Sequence, residues 1–241
     1  GVLIRDTVQS TLLVNTNNWG YAYQYTPAGA TLPEFTGGAH FNEAITTVEW
    51  LDGGFTDMTV SAGTPLKSAD MIRLVQDGAS RHSETGATDI AGVYTVMHFT
   101  WEGIRQTVQH SWAVAGVMNH GYVAMFPGWT TLLKGVIAGN PTVYTLTDND
   151  DSYKGNIRSR LAMLYDATHD FVAYAYVPNL QSVDFWTYSS LFTHFHDKIA
   201  GPTNKIYFHR WANTITRPWG IGDVWTAEFW YGFGWKPGFV P

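Results

Sequence analysis

The sequence predicts an all-β fold: a single antiparallel β-sandwich that is jelly-roll-like and carries long loops at its ends. Short runs rich in β-branched and aromatic residues alternate with Gly, Pro and Asn turn signals at a spacing of about 12 residues, which is typical of sandwiches. Aromatic residues make up 15% of the chain and charged residues 14%, below the roughly 25% of an average domain. No long linker or repeat interrupts the sequence, so we expect residues 1–241 to form one domain.

The first strongly aromatic run extends from Trp19 to Tyr25 and places four aromatic side chains on one side of a strand. A row of this width either packs under a second sheet or forms an exposed binding surface, and the sequence leaves both interpretations open. Further strands are expected at 45–51 and 70–76, because each run is bounded by Gly or Pro.

The stretch from Val93 to Phe126 organises the predicted fold. Its first two runs meet at Glu102-Gly103, and a two-residue turn there sets a register in which facing residue numbers sum to 205. Alternation then directs a mostly apolar set, which includes His110, toward the core. The opposite face is polar and carries four candidates for contact with a ligand: Tyr94, His98, Arg105 and Gln109.

The third run of this stretch, Val117 to Phe126, adds a second pair of candidates. His120 and Tyr122 project from the same side of a strand, about 7 Å apart along it. Such a pair can transfer protons, and the alternative is a buried histidine whose nitrogens are satisfied by neighbours.

Histidine and aromatic residues recur in the second half of the chain. An unbroken strand over 185–196 puts one face together from Trp186, Tyr188, Ser190, Phe192, His194 and His196, and four of these are candidates for contact with a ligand: Trp186, Tyr188, His194 and His196. A later strand adds three candidates: Tyr207, His209 and Trp211. His194 and His196 are either half of a metal site, a pair that faces a ligand, or a structural pair. The third metal ligand would be one of three histidines: His209, His98 or His120.

Charge and composition narrow the class of partner. A net charge of −6 argues against a nucleic-acid groove, which needs a basic stripe. No apolar run reaches the roughly 18 residues of a membrane span, and the absence of cysteine excludes disulfides and thiol nucleophiles. No pattern requires a cofactor. The acidic turn 148–151 indicates Ca²⁺ only weakly, because an EF-hand loop needs Gly at its sixth position, where this chain has Tyr153.

These patterns predict recognition of a glycan or polysaccharide by an aromatic and His-rich sheet face, in an extracellular or virion-associated module. The first alternative is a polysaccharide lyase acting on an acidic glycan by β-elimination, with base, acid and cation supplied by His98, Arg105, His120 and Tyr122. The second alternative is a structural or assembly domain of a virion or cell-surface protein, and the aromatic faces also allow a homo-oligomer. A glycosidase ranks below a lyase because few strand positions supply its two carboxylates.

Overall fold

A computed structural model gives the fold of the chain, and it describes residues 3–6, 11–15, 20–37, 42–54, 56–58, 70–86, 88–129, 132–147, 152–166, 171–178, 193–197, 203–211 and 217–235. The regular elements of these residues are β-strands, apart from one turn of 3-10 helix at Ser83–Thr85. The strands, in chain order, are β1 (Leu3–Asp6), β2 (Thr11–Asn15), β3 (Gly20–Pro27), β4 (Glu34–Thr36), β5 (Glu43–Asp52), β6 (Met71–Ser80), β7 (Ala91–Thr100), β8 (Gly103–Trp112), β9 (Gly116–Trp129), β10 (Lys134–Ile137), β11 (Val143–Thr145), β12 (Tyr153–Ile157), β13 (Leu161–Asp166), β14 (Phe171–Tyr176), β15 (Thr193–His196), β16 (Thr203–Trp211), β17 (Arg217–Trp219) and β18 (Val224–Trp235).

The strands form two antiparallel sheets of nine strands each. The first sheet has the order β1-β2-β9-β16-β15-β12, with β3 and β17 also paired to β9 and β4 paired to β3. The second has the order β11-β10-β13-β14-β18-β8-β7-β6-β5. The predicted all-β antiparallel sandwich is therefore confirmed, whereas its jelly-roll-like connectivity is not confirmed by these strand orders.

One large apolar core lies between the two sheets. From the first sheet it takes side chains such as Tyr23, Tyr25 and Phe126, and from the second it takes Trp112 and Phe229, all at most 2% exposed. The tyrosine row of β3 is thus buried under the second sheet, and the alternative of an exposed binding surface is wrong for the tyrosines of this row. Aromatic side chains fill the space between sheets because each buries a large apolar area.

The hairpin of β7 and β8 confirms the predicted faces but corrects the predicted register. Facing residues pair as Val93 with His110 and His98 with Arg105, so their numbers sum to 203 rather than 205. The two-residue loop is Trp101-Glu102, and Gly103 is the first residue of β8. A shift of two residues leaves each side chain on its predicted face, because the side-chain period of a strand is two. His110 accordingly lies in the core side of the sheet, 1% exposed.

Strand β9 departs from simple alternation. Its pairings with β3 and β16 show register shifts near Asn119 and between Tyr122 and Ala124. These β-bulges keep Met118 and Ala124 in the core while His120 and Tyr122 project from the opposite face of the sheet. The expectation that all the even-numbered residues of this run share one side is therefore wrong, although His120 and Tyr122 do share a face.

The remaining strands settle one further alternative. The stretch 157–165, which allowed a helix or a strand, contributes to β12 and β13. Among the described residues, no helix is long and apolar enough to cross a membrane.

Candidate functional site

The outer face of the second sheet presents polar and aromatic side chains in a row that crosses β14, β18, β8, β7 and β6. Cross-strand pairing brings together, in this order, Tyr176, Trp230, Arg105, His98 and Arg73. The alternate positions of the central strands fill the core, so this row, called here the Trp230 face, points away from it.

Trp230 is held in place by two charged neighbours. Its indole Nε1 donates a hydrogen bond of 2.9 Å to Oε1 of Glu228, and Nε of Arg105 donates to the same oxygen at 2.8 Å. The Arg105 guanidinium lies 5.5 Å from the centroid of the Trp230 ring, within the range of a cation–π contact. Trp230 remains 39% exposed, so one large aromatic surface is both fixed and accessible to solvent.

A cleft of about 340 Å³ opens beside Trp230. Its walls come from five strands and the tip of the β7–β8 hairpin, and its lining residues are Met71, His98, Thr100, Glu102, Gly103, Ile104, Arg105, Tyr174, Trp230 and Tyr231. The volume lies at the lower end of the range of small-molecule sites, and the mixture of aromatic rings with a few polar groups is typical of them.

His98 is the titratable group at the centre of the Trp230 face. Partial burial lowers the pKa of His98 below its usual 6.5, and the nearby positive charges of Arg73 and Arg105 lower it further. The imidazole is therefore neutral at pH 7 and can accept a hydrogen bond or a proton. Tyr94 and Gln109, which face one another farther along the hairpin, lie on the same outer face.

The other two residues of the predicted catalytic set lie on the other sheet. After Trp112 the chain leaves the second sheet and enters β9 of the first, so His120 and Tyr122 cannot join His98 and Arg105. The structure therefore does not bring the four residues into one site. The cause is topological, because β8 pairs with β18 and β7 and not with β9.

The outer face of the first sheet instead gathers six of the predicted site residues. Ring centroids 4.5 to 6.3 Å apart link His120, Tyr122, His194, His196, Tyr207 and His209, together with Phe35 and Tyr153. We call this group the histidine cluster. Its four histidines are at most 5% exposed, so they are not available to a large ligand in this conformation.

Burial sets the charge state of the histidine cluster. It lowers the pKa of His120 to about 4. Burial also lowers the pKa of His209 well below its usual range, and the neighbouring His194 and His120 add to this effect. The pKa of the Tyr122 phenol is raised by burial and by Tyr153. These groups are neutral at pH 7, and the ring nitrogens of His120 and His209 have no hydrogen-bond partner among the described residues.

The metal interpretation of His194 and His196 gains no support here. Among the described side chains, no three His, Asp or Glu residues are grouped in a way that could hold a metal ion. Trp186, Tyr188 and the acidic turn 148–151 lie outside the described residues, as does the side chain of Trp211.

Comparison with known proteins bears on the fold. No protein-family model and no curated protein sequence matches the chain. Solved structures of similar fold include the GH36 alpha-galactosidase AgaB from Geobacillus stearothermophilus, with a TM-score of 0.56 and 10% identity over 89% of this chain and 30% of that one. The alpha-galactosidase from Lactobacillus brevis gives a TM-score of 0.53 and 11% identity over 89% and 29%.

The likeness is one of architecture. At these identities the comparison shows a shared β-sandwich fold and carries no site residue over to this chain. The chain spans about 30% of the length of each of these alpha-galactosidases.

Sequence reasoning missed the aromatic centre of the candidate site. Trp230, Tyr174 and Tyr176 occupy outer positions of β18 and β14, and the alternation of β18 could have placed Trp230 on the same face as Glu228. What the sequence does not reveal is the pairing of β18 with β8, which joins residues 123 positions apart such as Arg105 and Glu228.

Proposed function

We propose that this protein recognises glycans through the Trp230 face. The observation that carries the proposal is the exposed Trp230 ring, fixed by Glu228 and Arg105 at the edge of a cleft of about 340 Å³. Aromatic rings of this kind stack on the apolar faces of sugar rings, and the polar atoms beside them bond the hydroxyl groups.

The neighbours of Trp230 supply both kinds of hydrogen-bonding group. Arg105 contributes donors, Glu228 contributes acceptors, and the neutral His98 contributes one of each. Sugar hydroxyls both donate and accept, so a mixed set of this kind suits a glycan better than a purely cationic or purely apolar ligand.

The choice between the two sheet faces follows from exposure. The histidine cluster has the composition expected of a sugar site but is buried, whereas the Trp230 face is open. The shared fold is in keeping with a carbohydrate setting, since the similar structures are alpha-galactosidases, and one of these was solved in complex with raffinose. A placement outside the cell or on a virion would agree with this function and stays a prediction.

A glycan array followed by titration calorimetry tests the proposal. We expect the wild-type protein to bind at least one oligosaccharide, and Trp230→Ala to weaken that binding about 10-fold or more, which corresponds to about 1.4 kcal/mol. Trp50→Ala is the matched control, because Trp50 is 38% exposed on the same sheet but on its other face. Equal losses in both variants, or no binding on the array, would contradict the proposal.

A second candidate, elimination on an acidic polysaccharide, is favoured by one observation. His98 is neutral at pH 7 and lies between Arg73 and Arg105. Elimination requires this arrangement, in which a base removes the proton and neighbouring cations balance the charge of the uronate carboxylate. The ultraviolet absorbance of an unsaturated product, followed with a panel of uronate polysaccharides, separates this candidate from simple binding. If the absorbance stays flat while the protein still binds the polysaccharide, elimination is excluded and glycan recognition remains as the function.

A further inference from the structure

A second, smaller cavity lies on the inner side of the second sheet, where β3 of the first sheet meets β5 to β8. Its volume is about 110 Å³, and its polar lining comes from Tyr21, Glu43, Gln76, Thr95 and Gln106. Gln76 is half-buried, so the cavity communicates with solvent, while Tyr21, Thr95 and Gln106 are at most 5% exposed. None of these residues belongs to the Trp230 face or to the histidine cluster.

A fixed carboxylate stands at one wall of this cavity. Oη of Tyr21 donates a hydrogen bond of 2.5 Å to Oε1 of Glu43. The pKa of the Tyr21 phenol is raised by burial and by the charge of Glu43, so the phenol keeps its proton. The Nε2 atom of His110 lies 3.6 Å from the same Glu43 oxygen, too far for a good hydrogen bond.

His110 cannot move closer without repacking the core. Its ring stacks on Trp112 at 5.7 Å and meets Tyr21 and Tyr23 edge-on at 5.1 and 5.2 Å. Nε2 of this buried ring has no hydrogen-bond partner among the described residues. His110 does not line the cavity itself, and it contacts Tyr21, which does.

Gln106 gives the strongest indication of a ligand. Its side chain is 3% exposed, and its Oε1 accepts no hydrogen bond from the part of the chain that the structure describes. A buried acceptor left in this state costs about 1–3 kcal/mol of folding free energy. An apolar residue of similar size would avoid that cost, so a glutamine at this place is better suited to binding than to stability.

We infer that this cavity binds a small, uncharged, polyhydroxylated ligand, either a glycerol-sized polyol or the hydroxymethyl end of a sugar. The volume equals the liquid share of about three to four water molecules, which sets the size. Gln106 Oε1 needs a donor and the Glu43 carboxylate can accept a further hydrogen bond, while the Thr95 hydroxyl can both donate and accept. Hydroxyl groups meet both requirements, whereas an ammonium group only donates. The inference does not depend on glycan binding at the Trp230 face.

Chemical-shift mapping by NMR with glycerol, glucose and galactose tests the inference. We expect at least one of the three to shift the Gln106 side-chain amide and the Gly20 backbone amide. Gln106→Leu should weaken that binding about 10-fold or more, while Gln109→Leu, on the opposite face of the same strand, should leave it unchanged. Trp230→Ala should also leave it unchanged, which separates this site from the glycan face.

The melting temperature of Gln106→Leu supplies an independent readout. If Gln106 is a binding residue with an unpaired acceptor, the variant should melt at the same temperature as the wild type or higher. If Gln106 has only a structural role, the variant should melt at a lower temperature. If Gln106→Leu fails to fold, Thr95→Val, which removes one hydroxyl at constant shape, takes its place and should weaken binding. The inference is overturned if none of the three compounds shifts the cavity resonances, or if the folded variants bind as tightly as the wild type.

Discussion

At Gly103, the absence of a side chain allows β18 and β8 to pack closely and form one wall of the Trp230 cleft. Its φ is +150°, and a Cβ at this position would lie 2.0 Å from the backbone oxygen of Tyr231. Strand β18 can approach β8 this closely because residue 103 is a glycine. The sequence suggested a different reason for this glycine, the hairpin turn, because glycine is common in both settings and only the paired strand distinguishes them.

Gly103→Ala should therefore be strongly destabilising. We expect a loss of about 3 kcal/mol or more of unfolding free energy, since the added methyl group meets backbone and the conformation is unfavourable for an L side chain. Urea denaturation measures this change. Gly92→Ala in β7 is the control, because a Cβ there meets no atom within 4 Å, and its effect should stay within about 1 kcal/mol. Similar losses in the two variants would contradict the packing argument.

At the scale of the element, the histidine cluster makes the stability of the strands β9, β15 and β16 depend on pH. The titratable groups in ring contact with His120 or His209 are Tyr122, His194 and Tyr207, and Tyr153, His196 and Lys205 lie next to these on the described strands. The buried imidazoles of His120 and His209 resist protonation, whereas the same groups in the unfolded chain titrate near 6.5. The unfolded state thus binds more protons below pH 6.5, and the stability falls as the pH drops from 6.5 toward 4.

The contribution of His120 to the pH dependence of the stability can be measured. Its pKa of 6.5 in the unfolded chain and about 4 in the fold predicts that the unfolding equilibrium constant rises about 30-fold between pH 7.5 and 5.0 through this residue. His120→Gln should remove that part of the pH dependence in urea titrations at the two pH values. Tyr122→Phe, in the same cluster but without a group that titrates in this range, should keep it. An unchanged dependence in His120→Gln would refute the assignment.

The strands also show which features could be read from the sequence. Alternation placed Tyr94, His98, Arg105 and Gln109 on the correct face of the hairpin, because a period of two is local information. The bulges of β9, which separate His120 from Met118, arise from pairing with β3 and β16 and have no local signature. The meeting of His120 with His209 likewise depends on the pairing of β9 with β16, two strands that are far apart in the chain.

For the whole molecule, the decisive fact is the division of the chain between two sheets. Composition and turn spacing were sufficient to predict an antiparallel sandwich, since they reflect the needs of a β-core. They could not show that the chain crosses to the other sheet after Trp112, which divides His98 and Arg105 from His120 and Tyr122. The predicted homo-oligomer remains a prediction.

The most direct test of glycan recognition is the position of a bound oligosaccharide on the protein. An NMR titration with the best ligand from the array reports this through the indole resonance of Trp230 and the amides around the cleft. Glycan recognition at the Trp230 face predicts shifts at Trp230, Arg105, His98 and Tyr174, with the resonances of the histidine cluster unchanged. Shifts confined to the first sheet, or an unmoved Trp230 indole at saturation, would contradict it.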